Sequence, residues 1–126
     1  MIVQRLLFAC YLIAMSGIAS AHGPARGPHG GQMQDLAGSH VELVAKDSEL
    51  VLYLFDAQNQ SLPANGATAT ASVLVAGQQE SVMLMAGDDN AMRGKGRFTA
   101  APGMKVVVSL TLPGQRAQSG RFTPLD

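Results

Sequence analysis

From residue 39 onward, short apolar runs alternate with turn residues, and this spacing constrains the fold more than any other feature. The runs are rich in Val, Leu and Thr, and Gly, Pro, Asn and Asp separate them at nearly regular intervals, as is typical of an all-β domain. We therefore expect an all-β, seven-stranded antiparallel immunoglobulin-like sandwich. The predicted strands are residues 39–46, 49–56, 67–76, 79–86, 91–99, 104–112 and 116–123.

Alternation within these runs predicts which side chains face the core. In the first predicted strand, apolar residues alternate with a polar face that carries His40 and Glu42. The second predicted strand is apolar on both faces over residues 50–55. Because a strand at the surface normally has one polar face, this one should be central or covered on its second side.

The N-terminus has the pattern of a secretory signal. Arg5 supplies a positive charge, residues 6–18 form an apolar run, and residues 19–21 read Ala-Ser-Ala, an A-x-A cleavage site. The apolar run is shorter than the about 20 residues that a membrane-spanning helix needs. We therefore expect residues 1–21 to be a signal peptide that is removed on export to the periplasm, leaving no membrane span and no cysteine.

The next segment, residues 22–38, is dense in Gly and Pro, which oppose both helix and strand. The sequence predicts a flexible Gly/Pro/His tail there, followed by one β-sandwich domain over residues 39–126. Nine basic and nine acidic residues balance, and no cluster of Lys and Arg points to nucleic acid. No nucleophile elbow, phosphate loop or H-E-x-x-H motif is present. We therefore do not expect an enzyme.

Histidine placement predicts a metal site. His22, His29 and His40 are the three histidines, and neutral imidazole is the commonest metal-ligating side chain. Cleavage after residue 21 would leave an α-amine on His22 that can chelate Cu(II) together with imidazole nitrogens. Glu42 would be an oxygen ligand or an orienting partner, and Met33 an auxiliary ligand. Copper is the first choice and zinc the second, with binding that weakens as pH falls through about 6.5, where free imidazole protonates.

Two further methionines stand out. Met83 and Met85 place two thioethers on one face of a predicted strand. Thioethers are soft ligands that select Cu(I), but methionine also fills gaps in β-sheet cores. The sequence leaves both interpretations open.

Three stretches together carry a resemblance to known proteins. They are the His-Gly-Gly triplet at 29–31, the His-Val-Glu-Leu-Val run at 40–44, and the apolar strand that ends at Asp56. The chain resembles small exported β-sandwich proteins associated with heavy-metal efflux, and it is similar to the N-terminal segment of heavy-metal efflux periplasmic adaptor proteins. His22 alone matches a feature of periplasmic copper-resistance β-sandwich proteins, which use an N-terminal histidine for Cu(II). The resemblance implies a heavy-metal efflux component as partner.

These patterns predict a periplasmic transition-metal binding protein that acts as buffer or carrier in metal resistance and efflux. The alternative is a non-catalytic protein-interaction module of the cell envelope, because a sandwich fold does not fix a function. In that alternative the histidine segment is a linker, and a strand edge or the face with Arg93, Lys95 and Arg97 binds a partner.

Overall fold

The computed structural model describes residues 25–126, which form eight β-strands and no helix. All neighbouring strands are antiparallel, in the order β1-β2-β3-β6-β5-β4-β7-β8. The all-β class is confirmed, but the strands form one nearly closed, barrel-like sheet in place of the predicted seven-stranded sandwich. The strands are β1 (Gln32–Leu36), β2 (Ser39–Lys46), β3 (Glu49–Phe55), β4 (Thr68–Val75), β5 (Gln78–Ala86), β6 (Ala91–Lys95), β7 (Lys105–Thr111) and β8 (Gln118–Phe122).

The strand that the sequence did not predict is β1, which lies inside the segment that we expected to be a tail. It pairs with β2 along its whole length, from Gln32 opposite Leu43 to Leu36 opposite Ser39. The two-residue connection has positive φ at both Ala37 (57°) and Gly38 (73°). This is the backbone of the tight hairpin turns that match the twist of the flanking strands.

Side chains close the seam between the two edge strands, β1 and β8. The backbone N–H of Thr123 donates to Oε1 of Gln32 at 2.6 Å, and the side-chain amide of Gln34 donates to the carbonyl of Arg121. Arg26 adds bonds from its guanidinium to the carbonyls of Pro124 (2.9 Å) and Asp126 (2.6 Å). Because these bonds occupy polar groups at both edges, the seam is protected against pairing with another chain.

The barrel interior is filled by side chains from every strand, as in other small barrels. The face of β3 that carries Leu50, Leu52 and Leu54 is fully buried there. On the opposite face of β3, Val51 and Phe55 are also buried. The prediction that this strand is central or covered on its second side is therefore confirmed, since β3 also lies between β2 and β6.

The outer face of β1, β2 and β3 carries two rows of side chains, because directly paired residues in a sheet point to the same face. One row is Met33, Glu42 and Tyr53; the next is Asp35, His40 and Phe55. These two rows hold all the predicted site residues that the structure describes except His29.

Candidate functional site: a buried carboxylate under a glycine-rich strap

Residues 26–31, here called the strap, cross the outer face of the sheet beside β1. Arg26 forms a β-bridge with Gln32, and the N–H of Met33 donates to the carbonyl of Ala25 at 2.8 Å. Within the strap, the N–H of Gly27 donates to the carbonyl of Gly31 at 2.9 Å. The chain ahead of β1 is thus hydrogen-bonded to the barrel from residue 25 onward.

Glu42 is fully buried beneath the strap and accepts three hydrogen bonds from it. Its Oε2 accepts from the backbone N–H of His29 at 2.8 Å and of Gly31 at 2.9 Å, and its Oε1 lies 2.7 Å from Nδ1 of His29. Burying a carboxylate is strongly unfavourable unless hydrogen bonds replace its hydration. The strap supplies that replacement, so Glu42 holds the strap and the strap shields Glu42.

The His29 ring is held by two independent contacts. It stacks on Tyr53 with ring centroids 3.6 Å apart and planes 2° from parallel, while its Nδ1 contacts Glu42. Because an ionised carboxylate only accepts hydrogen bonds, we assign the proton to Nδ1. In the neutral ring Nε2 then carries the lone pair, on a side chain that is 42% exposed. The arrangement holds an oriented imidazole on a partly exposed side chain.

Two glycines of the strap are required by close approach rather than by turn geometry. A Cβ on Gly27 would lie 2.3 Å from the carboxyl carbon of Glu42, and a Cβ on Gly31 would lie 2.4 Å from the carbonyl oxygen of Leu43. Side chains at these positions would lift the strap away from the sheet. The short distances to Glu42 therefore depend on glycine at both positions.

The other predicted residues that the structure describes lie beside this cluster, and within residues 25–126 no hydrogen bond joins their side chains to Glu42. His40 contacts Asp35 through Nδ1, and Asp35 is 81% exposed with no further hydrogen bond to its carboxylate within residues 25–126. Met33 is directly opposite Glu42 on the side away from Tyr53, so two strand spacings of about 10 Å separate Met33 from Tyr53.

His22 lies outside the residues that the structure describes, as does the predicted signal peptide. Within residues 25–126 no three His, Cys, Asp or Glu side chains form a group that could hold a metal ion. Of the predicted ligand set, the structure brings together His29 and Glu42. Sequence reasoning missed Tyr53, whose signal was the apolar second face of β3, and the strap amides, whose signal was the adjacent Gly30-Gly31.

The basic residues Arg93 and Lys95 are on β6, which lies between β3 and β5 and is not an edge strand. Arg93 approaches Asp89 at 3.9 Å. Arg97 follows the strand, and its backbone N–H donates to both oxygens of Glu80 at 2.7 and 2.9 Å. Arg93 and Lys95 therefore share a face of a strand inside the sheet, and Arg97 lies beyond the end of that strand.

Comparison with known proteins finds no matching family, no similar curated protein and no similar solved structure. The resemblance to heavy-metal efflux proteins therefore stays a prediction that depends on the motifs quoted above. In the part of the chain that the structure describes, no helix has the length and apolar character needed to cross a bilayer.

Proposed function

We propose that this protein binds a transition metal ion through Nε2 of His29 and acts as a periplasmic buffer or carrier in metal resistance. The observation that carries the proposal is the 2.7 Å contact between Nδ1 of His29 and the buried carboxylate of Glu42. In metalloproteins, ligating histidines almost always donate their other ring N–H to a carboxylate, carbonyl or water, which fixes the tautomer and raises the basicity of the ligand.

In this proposal Glu42 orients the ligand rather than binding the ion. Both of its oxygens already accept bonds from the strap, and direct ligation would break them. Tyr53 adds a second constraint, because its stacked ring restricts rotation of the His29 imidazole. A ring whose rotation is restricted loses less side-chain entropy on metal binding than a free one.

His22 is the residue that we propose as the second ligand. It is seven positions before His29, and export with cleavage after residue 21 would add its α-amine to its imidazole. An amine and two imidazoles form a nitrogen donor set that suits Cu(II) first and also Zn²⁺. His40 and Met33 are outside this minimal set and would contribute only as auxiliary ligands.

The test is a titration of the exported protein with Cu(II) and with Zn²⁺, with mass spectrometry to read its N-terminus. We expect His29→Gln to lower the affinity for the preferred ion at least tenfold. Glu42→Gln should lower that affinity about 10- to 100-fold, as is usual for orienting partners. His40→Gln is the matched control, since it removes an imidazole that also contacts a carboxylate. Equal losses in all three variants, or none in His29→Gln, would contradict the proposal.

A second candidate function, a protein-interaction module, is favoured by a groove along β4, β7 and β8. Leu74 and Val107 are 44% and 39% exposed there, beside Lys105 and Arg121, which form no salt bridge within residues 25–126. Apolar surface with two free cations suits an acidic partner. Photocrosslinking from position 107 in the cell envelope tests this: the crosslink should disappear in Lys105→Glu, and a crosslink that persists counts against it.

A further inference from the structure

Two methionines on β5 point away from the barrel. Met83 and Met85 are 68% and 64% exposed, whereas Val82 and Leu84, which alternate with them, are 3% and 2% exposed. Their thioethers therefore do not fill gaps in the core. The sequence left this question open, and the structure answers it by placing both side chains on the outer face.

Their surroundings do not make an apolar docking surface. Thr70 is directly opposite Met83, Arg93 is opposite Met85, and Ser81 precedes them on the same face of β5. An interaction patch needs several hundred Å² of contiguous apolar surface. The other exposed large apolar residues of the described chain, Leu74 and Val107, are beside Gln79 and Arg121 in the sheet. The two methionines are thus a pair of thioethers among polar neighbours.

The backbone holds the pair at a fixed spacing. Residues two apart on a strand lie about 6.6 Å apart and share a face, and β5 is paired at both positions, to β4 at Met83 and to β6 at Met85. Each methionine side chain has three rotatable bonds. The rigid backbone and flexible side chains allow both sulfurs to reach one ion between them.

We propose that Met83 and Met85 form a binding site for a soft monovalent ion, Cu(I) or Ag(I). Thioethers select soft ions, while nitrogen and carboxylate ligands suit Zn²⁺ and Cu(II). None of the register partners of the pair is a histidine or a carboxylate: they are Thr70 and Arg93. Two thioethers with no such ligand directly opposite them therefore favour a soft ion over a divalent one.

The charge near the site permits a monovalent cation. Lys95, two residues further along the same face of β6, is directly opposite Glu49, and Arg93, which is opposite Met85, directs its guanidinium to the carboxylate of Asp89 at 3.9 Å. That pairing reduces the local positive potential at Met85. The site is separate from His29, because β3 and β6 lie between β2 and β5 in the sheet, and it does not depend on the function proposed above.

The experiment uses silver nitrate in chloride-free buffer, because Ag(I) is a redox-inert soft ion. The exported protein is labelled at its methionine methyl groups, and resonances are assigned from single Met→Leu variants. We expect one Ag(I) per chain, with shifts confined to the Met83 and Met85 methyls. The double variant M83L/M85L should lose at least tenfold in affinity, and each single variant should lose less.

Three controls keep the two sites distinguishable. Met33→Leu removes another methionine that is not fully buried, His29→Gln removes the proposed nitrogen ligand, and both should bind Ag(I) as the wild type does. Circular dichroism checks that the Leu variants remain folded. Unchanged Ag(I) affinity in M83L/M85L, shifts at Met33 instead, or equal perturbation of the same methyls by Zn²⁺ would each overturn the proposal, whatever the titrations of His29 show.

Discussion

Side chains alternate between the inner and outer face on both β2 and β5, but the outward-facing side chains of the two strands differ in solvent exposure. On β2 the outer-facing Glu42 is fully buried, because the strap covers it and supplies three hydrogen bonds. On β5 the outer-facing Met83 and Met85 are more than half exposed, because no segment of residues 25–126 covers them. Whether an outward-facing side chain is buried therefore depends on whether another segment crosses that face. As a result, the polar Glu42 is buried while the apolar Met83 and Met85 are exposed.

The largest effect should come from disturbing the strap at its closest approach to the sheet. Gly31→Ala would place a methyl group 2.4 Å from the backbone oxygen of Leu43, which cannot move without breaking β2. We expect a loss of about 2–4 kcal/mol in the free energy of unfolding, within the range for overpacking and broken buried hydrogen bonds. Urea denaturation measures it.

Gly120→Ala is the matched control for that substitution. Its Cβ would meet only ordinary contacts at 3.4–3.5 Å, to side chains of Gln34, Leu36 and Phe122, and replacing glycine within a strand reduces the entropy of the unfolded chain. We expect Gly120→Ala either to change the free energy of unfolding by less than about 0.5 kcal/mol or to increase it. If Gly31→Ala were as mild as Gly120→Ala, the strap would not be held against the sheet.

The second effect compares two carboxylates that accept backbone N–H bonds. In Glu42→Gln the side-chain NH2 group cannot accept a hydrogen bond, so one donor of the strap loses its acceptor at a fully buried position. A buried unsatisfied group costs about 1–3 kcal/mol. Glu80→Gln changes a carboxylate that accepts the N–H of Arg97 at an exposed position, where water replaces what is lost. We expect the free energy of unfolding to fall by about 2 kcal/mol in Glu42→Gln and by less than about 1 kcal/mol in Glu80→Gln. Equal urea midpoints for the two variants would show that the burial of Glu42 is not important for stability.

A smaller effect is expected from the stacked pair. Tyr53→Leu keeps an apolar side chain on β3 but removes the ring on which His29 lies at 3.6 Å. Aromatic pairs contribute about 0.5–1.5 kcal/mol beyond the area that they bury. A double-mutant cycle of Tyr53→Leu with His29→Gln should give a coupling energy in that range, and strictly additive losses would mean that the stacking contributes nothing.

The sequence predicted the positions of the strands well, but it predicted only in part which strand faces are covered by other segments. Seven of the eight strands coincide with the predicted runs within a few residues, because alternation and turn chemistry are local. β1 was missed because its sequence, Gln-Met-Gln-Asp-Leu, has little alternation and its Ala37-Gly38 turn is not a typical hairpin dipeptide. The apolar second face of β3 did indicate that something lies over it.

The contacts of the candidate site were less accessible to such reasoning. Alternation places Glu42 on a polar face, and polar faces are normally solvated. Its burial depends on a long-range contact with residues 27–31. The alternation of side chains along a strand cannot reveal that contact, because Gly and Pro in residues 27–31 favour irregular backbone. The association of His29 with Glu42, and not with His40, follows from where the strap crosses the sheet.

The smallest effect on stability should come from the uncovered face of β5. Met83→Thr and Met85→Thr replace exposed thioethers with a β-branched residue that suits a strand, so we expect the free energy of unfolding to change by less than about 0.5 kcal/mol. Exposed methionines are oxidised before buried ones, and Met92 and Met104 are fully buried. Mild peroxide treatment followed by peptide mass spectrometry should therefore find sulfoxide at positions 83 and 85 first. Oxidation of Met92 or Met104 at the same rate would show that the barrel opens on the time scale of the reaction, and the contrast between a covered and an open face would then describe only part of the population.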